Sequence, residues 1–239
     1  MMKVFNYAIL SVGIAACLFI GAYGQQQMRN ELLSKIDHLV YATPDLADGI
    51  KQVERLLGVK AIPGGQHPGG GTRNALIGLG DNTYLEIIGP DPDQPKPAQP
   101  RRFGIDDLKA PRLVTWAAKG TDLEAIVENA KGHGLDLGQV QAGRRRRPDG
   151  VLLSWRLTVS PALNEGGVVP FFIDWGETPH PAAALPKGRV LVALRSEHPD
   201  ANRVQAELST LGLNLRVDAG AAPALIATIR TPKGDVELR

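Results

Sequence analysis

The sequence predicts an α+β fold, in which repeated β-α-β-β-β modules join their strands into a curved mixed sheet with the helices on the outside. Three observations carry this. The segments IDHLVYATPDLADGIKQVERLLGV, LVTWAAKGTDLEAIVENAKGHGL and VLVALRSEHPDANRVQAELSTLGL each run from an apolar strand through an aspartate helix start and an amphipathic helix to a Gly-apolar stop. Their helix-start aspartates, Asp45, Asp122 and Asp200, lie 77 and 78 residues apart, a regularity that marks a threefold repeat. After each helix come short runs rich in β-branched or aromatic residues and bounded by Gly, Pro, Asn or Asp, as strands are.

The first module covers residues 35–90. Leu46, Ile50, Val53, Leu56 and Leu57 recur at the three-to-four spacing of a helix that buries one face, and ALIGLG and TYLEIIG follow as strands. Residues 91–110 are too proline-rich for helix or strand, so they read as an extended connector that crosses to the next module and lies over the open side of the sheet. The second module, 111–180, closes with VLLSWRLTV and VVPFFIDWG; the third, 188–239, closes with ALIATIRT and DVELR. A less obvious strand directly after each helix completes the β-α-β-β-β pattern.

Residues 1–24 stand apart. Lys3 precedes an uncharged apolar run that ends at Ala22-Tyr23-Gly24, the pattern of a secretory signal peptide, so the expectation is export to the periplasm or medium. The alternatives are an uncleaved membrane anchor over residues 4–24 or lipidation at Cys17. Cys17 is the only cysteine, which removes thiol catalysis and cysteine-ligated zinc from the mature domain. A net charge of +2 gives no broad footprint for nucleic acid, and Arg144 to Arg147 read as a charge run beside the turn Pro148-Asp149-Gly150. The chain has no G-x-S-x-G elbow, no H-E-x-x-H pair and no Walker lysine. In GGQHPGGGTRN, residues 64–74, Gly71 stands where a phosphate loop needs lysine and a strand follows instead of a helix, so the nucleotide reading fails there too.

The opening strand IDHLVYATPDL and closing strand YLEIIGPD resemble the vicinal oxygen chelate superfamily, and GGQHPGGGTRNALIGLG, RRRRPDGVLLSWR and PFFIDWGETPHP are similar to its glyoxalase-like domain family. The resemblance implies a cup between paired modules, a divalent metal (manganese, iron, magnesium or zinc) or a cup that has lost its ion, and chemistry of the lyase, isomerase or dioxygenase kind on a small oxygen-rich substrate that carries a carboxylate. It places the metal ligands at His38 and Glu86, with Asp174 and Glu237 as weaker candidates. The position of His38 in the repeat is taken by Thr115 in the second module and Ala193 in the third, so the second histidine of the pattern is missing. Glu86, His67 and Asp174 are the candidate proton-handling groups. Arg73, Asn74, Arg147, Arg156 and His180 are the candidate substrate contacts. Strand alternation in SWRL sends Trp155 and Arg156 to opposite faces, so only one of the two reaches the cup. The competing reading is a metal-free module that binds or sequesters a small molecule without turnover.

Overall fold

The computed structural model describes residues 26–147 and 149–239; the leader and Cys17 therefore lie outside the described residues. Residues 26–35 are helical, and no described helix is long and apolar enough to cross a membrane. The first module is β1 (Ile36–Ala42), α1 (Leu46–Leu57), β2 (Ile62–His67), β3 (Thr72–Gly78) and β4 (Tyr84–Pro90). The second is β5 (Arg112–Lys119), α2 (Leu123–Gly132), β6 (Gln139–Arg146), β7 (Leu152–Val159) and β8 (Phe171–Asp174). The third is β9 (Val190–His198), α3 (Ala201–Thr210), β10 (Arg216–Ala219), β11 (Ala224–Thr231) and β12 (Gly234–Leu238).

The helix-start aspartates do what their spacing implies, with one variation. Asp45 and Asp122 cap α1 and α2 by accepting from the backbone N–H groups of Asp48 and Ala125, which satisfies donors the first helical turn leaves unpaired. Asp200 holds the same position at α3 without a cap bond and instead accepts from Arg203 at 2.9 Å. Gly58 ends α1 in the left-handed region, where glycine carries no Cβ penalty.

The first two modules form one eight-stranded sheet in the order β2-β3-β4-β1-β5-β8-β7-β6. Each module pairs its opening strand in parallel with its closing strand, β1 with β4 and β5 with β8, and the two halves meet at the antiparallel β1–β5 ladder. Helix α1 packs on β3 and β4, and α2 packs on β6, β7 and β8, so both helices lie on the outer face. The third module keeps the element order but not the pairing: its sheet runs β10-β9-β11-β12. Here β10, not the closing strand, lies parallel to the opening strand β9; β11 pairs antiparallel on its other side, and the short β10 and β12 form the edges. Leu191, Leu194, Leu225 and Ile229 of this sheet share one core with Leu39, Leu85, Ile87 and Trp116 of the large sheet. Burial at about 25 cal/mol per Å² of apolar surface therefore ties all three modules into one cooperative unit.

The large sheet curls until its two edges nearly touch, and the glycines of residues 64–71 explain how. Gly64 and Gly65 lie within β2 rather than in a loop; the turn itself spans only residues 68–71. A Cβ on Gly65 would stand 2.7 Å from the Arg146 carbonyl oxygen of β6, and one on Gly64 would collide with Asn74 Oδ1 and Arg145 Nη1. Glycine at both positions lets the opposite edges of the sheet approach and leaves room for a side chain to cross the seam.

Candidate functional site

The concave face of the large sheet encloses a cavity of about 480 Å³, within the range of small-molecule sites. Strand alternation decides which side chains enter it. On β4, Tyr84, Glu86 and Ile88 face the cavity while Leu85 and Ile87 join the core. On β3 Thr72 and Asn74 face in, and on β6 and β7 the inward set includes Gly143, Arg145, Trp155 and Leu157.

Glu86 is the centre of this arrangement. Asn74 Nδ2 donates to its Oε1 at 2.5 Å, His67 Nε2 stands 3.7 Å from Oε1, and His38 Nε2 stands 3.8 Å from Oε2. Burial pushes the Glu86 pKa up, but the neighbouring imidazoles, the Asn74 hydrogen bond and the Arg145 charge outweigh it and hold the carboxyl below its usual range. His67 moves down, first because burial disfavours its charged form, with Glu86 opposing the shift. At neutral pH the cup thus holds an ionised carboxylate beside a neutral imidazole. Across the seam, Arg145 Nη1 donates to Asn74 Oδ1 at 3.2 Å, so one amide links the carboxylate of the first module to the guanidinium of the second. Arg145 is only 3% exposed, forms no ion pair within 4 Å, and its Nε has no partner among the described residues.

Asp37 holds the wall together. The register of β1 against β5 slips between Ile36 and His38, and this bulge turns Asp37 out of strict alternation. Its carboxylate, 1% exposed, meets His38 Nδ1 at 2.7 Å, Trp175 Nε1 at 3.1 Å and His180 Nε2 at 3.2 Å. Burial alone would raise its pKa; the hydrogen bonds and charges of His180 and His38 hold it far below the ordinary carboxylate range. With Nδ1 engaged by Asp37 and its ring stacked on Tyr84 at a centroid distance of 4.6 Å, His38 presents Nε2 to Glu86.

Glu86 and His67 do not fit a shared metal ion, and His38 beside Glu86 Oε2 makes only a two-ligand pair. An amide N–H group of Asn74 stands between Glu86 Oε1 and His67 Nε2, 2.5 Å from one and 3.3 Å from the other, and Arg145 fixes the amide in that orientation. The space a shared cation needs is taken by a hydrogen-bond donor backed by a positive charge. Among the described residues no three His, Cys, Asp or Glu groups are placed to hold an ion, and the second module offers Thr115 on β5 and Phe171 and Ile173 on β8 where ligands would be.

The candidates from the sequence divide accordingly. His38, His67, Asn74 and Glu86 converge in the cavity, and His180 joins them through Asp37. Arg73 does not: it alternates with Asn74, so it points outward to Asp93 at 3.0 Å and Asp91 at 3.6 Å. Arg147 pairs with Asp149 in the hairpin turn, and Arg156 pairs with Glu124 on the outer face, leaving Trp155 as the inward member of SWRL. Asp174 accepts from the Gly176 N–H beyond the cup. Glu237 sits on β12, opposite Thr228 in the separate sheet and 3.6 Å from Arg195. Asp37 and Arg145 are site residues that the sequence pattern does not single out. An acidic residue inside the apolar strand IDHLVYA is the signal for the first; for the second there is only strand alternation within four consecutive arginines.

The sequence profile described as a glyoxalase-like domain matches residues 36–212. No curated protein matches the chain by sequence. Among solved structures, a hypothetical protein from Staphylococcus aureus is 14% identical with a TM-score of 0.58, covering 85% of this chain and 84% of its own, a likeness of fold. Methylmalonyl-CoA epimerases from Mycobacterium tuberculosis (21% identity, TM-score 0.39, 64% of this chain and 94% of that one) and Streptomyces coelicolor (18%, 0.40, 58% and 95%) are partial likenesses.

Proposed function

The chain belongs to the glyoxalase-like domain family, and from that premise we propose that its cup binds a small carboxylate-bearing molecule and moves a proton on it through Glu86. One observation carries the reading: Glu86 and Arg145 share the Asn74 amide and open into the same cavity, which places a base beside an anion site. The ligand carboxylate pairs with Arg145, whose free guanidinium edge suits planar oxyanions. Ionised Glu86 accepts a proton from the carbon next to that carboxylate, and the negative charge that develops on the carboxylate oxygens faces Arg145. Return of the proton gives an isomerised or epimerised product. Neutral His67 accepts or returns the proton in exchange with Glu86, while Asp37 and His38 hold the wall in place.

Titration of the protein with acetate, pyruvate, malonate and benzoate, each beside its neutral amide, tests the binding step. At least one acid should bind while its amide does not, and Arg145→Met should abolish the difference; failure of every acid to bind sinks the reading. Glu86→Gln should keep affinity for malonate but stop uptake of solvent deuterium at its methylene carbon, followed by NMR. Binding by wild-type protein without any deuterium uptake favours the competing module that sequesters its ligand. Added manganese or iron should leave thermal stability unchanged. Export belongs to the same proposal and is checked by fractionation and by N-terminal sequencing, with Gln25 as the expected first residue.

A further inference from the structure

The connector that follows β4 does more than join two modules. It is pinned to the rim of the first: Arg101 Nε donates to the Gly71 carbonyl at 2.8 Å, Gln94 Nε2 donates to the Thr72 carbonyl at 3.0 Å, and Ile105 is buried beside Val40, Ile88 and Val114. Between these anchors, Arg102 and Phe103 reach the cavity. Two features of this corner go beyond the packing of Phe103 against Val40, Ile88 and Ile105. Phe103 has φ 63° and ψ 19°, a left-handed conformation that is costly for a bulky side chain and that survives only where its surroundings enforce it. Arg102 makes no ion pair among the described residues; its guanidinium lies 5.0 Å from the centroid of Phe103 and 5.9 Å from that of Phe171, exposed at the mouth. A chain that needed only to cross the sheet could place glycine at 103, as it does at 104, where φ is 64°.

We propose that Arg102 and Phe103 form a cap that determines ligand choice, with Arg102 as the second cation for the ligand's carboxylate and Phe103 as the ring that covers it. The inference rests on the organic-anion reading of the cup. Arg102 and Arg145 approach from the connector and from β6, Arg144 also lines the cavity, and Glu86 is the only acidic group there with them, so the cup carries an excess of positive charge that a bound anion offsets. The Phe103 strain is then the cost of holding an aromatic ring over the mouth, while the stacking of Arg102 on it keeps the guanidinium pointed at the anion.

Calorimetric titration with benzoate and benzamide, together with thermal melts, tests this. Arg102→Gln should weaken benzoate about ten-fold, the scale of one charge-assisted hydrogen bond, without changing benzamide. Phe103→Gly should weaken benzoate about ten-fold, and Phe103→Leu, which keeps apolar packing against Val40 and Ile105 without the ring, should weaken it as much at an unchanged melting temperature, a pairing that a structural role does not produce. Unchanged benzoate affinity in Arg102→Gln and Phe103→Leu overturns the cap. If wild type binds benzoate and Arg145→Met abolishes it while Arg102→Gln and Phe103→Gly do not, only the cap fails. If wild type binds none of the carboxylates, the reading of the cup fails and takes the cap with it.

Discussion

The two halves of the large sheet share their strand pairing and almost nothing of their chemistry. In the first half, β1 to β4 present His38, His67, Asn74 and Glu86 to the cavity; in the second, β5 to β8 present Arg145 among Trp155, Leu157, Phe171 and Ile173. The pairing repeats because it is fixed by what each module does locally: a capped helix, a parallel opening and closing strand, and an apolar outer face. The inward positions are under no such constraint, since either polar or apolar groups can line a cavity provided their hydrogen bonds are met. One half has become an acid-base wall and the other an apolar wall with a single buried cation. The proposed chemistry draws on both, and the difference can be broken at three points.

The largest effect is expected at Asp37, which binds the acid-base wall to the segment after β8. Asp37→Ala leaves His38, Trp175 and His180 without their shared partner, and losing one member of a buried charged cluster costs about 3 to 5 kcal/mol, measured by urea unfolding at neutral pH. Folding lowers the Asp37 pKa, so its contribution is complete above the ordinary carboxylate value of about 3.9 and is lost as the pH falls below it. The variant should therefore lose less stability than wild type between about pH 4 and pH 2. Equal acid sensitivity in the two proteins would show that the acid-base wall stands without this hub.

The seam comes next. Gly64→Ala forces a methyl group against Asn74 and Arg145, whose hydrogen bond links the two walls across the seam. Overpacking of this kind costs about 1 to 3 kcal/mol, and carboxylate affinity should fall with it because Arg145 is displaced. If the variant folds less stably but binds as before, the bridge serves only to close the sheet.

What could be read in advance follows the same division between local and distant causes. Helix caps, the apolar stripe of α1 and the β-branched runs are set within a few residues, so the modules and their order were legible. His38, Asn74 and Glu86 were legible too, through resemblance and through the cost of an unpaired carboxylate in an apolar strand. The order β10-β9-β11-β12 depends on which neighbour a short strand finds in three dimensions, and nothing in RVDA states it. Asp37 enters the site through a bulge, which shifts the phase of alternation at one residue. Arg145 is chosen from four consecutive arginines by the register of β6 against β7, where it pairs with Leu153, and by a glycine 81 residues earlier in the chain.

The smallest effect is expected where the motif and the strand disagree. TRN lies in the part of the sequence most like the family, yet Arg73 and Asn74 alternate, so only Asn74 reaches the cavity. Arg73, 40% exposed at its side chain, instead faces Asp91 and Asp93 across the connector, and Arg156 faces Glu124 on the outside of the apolar wall. The Arg73–Asp93 and Arg156–Glu124 pairs are exposed and contribute little to stability because water screens them. Arg73→Ala and Arg156→Ala should each leave carboxylate affinity within about two-fold of wild type, well short of the ten-fold step that a lost charge-assisted contact makes. A ten-fold loss at Arg73 would mean that the connector moves with its ion pairs and carries Arg102 and Phe103 away from the mouth. A ten-fold loss at Arg156 would mean that the outer face of β7 sets the position of Trp155, and the apolar wall would then be a tuned surface in its own right.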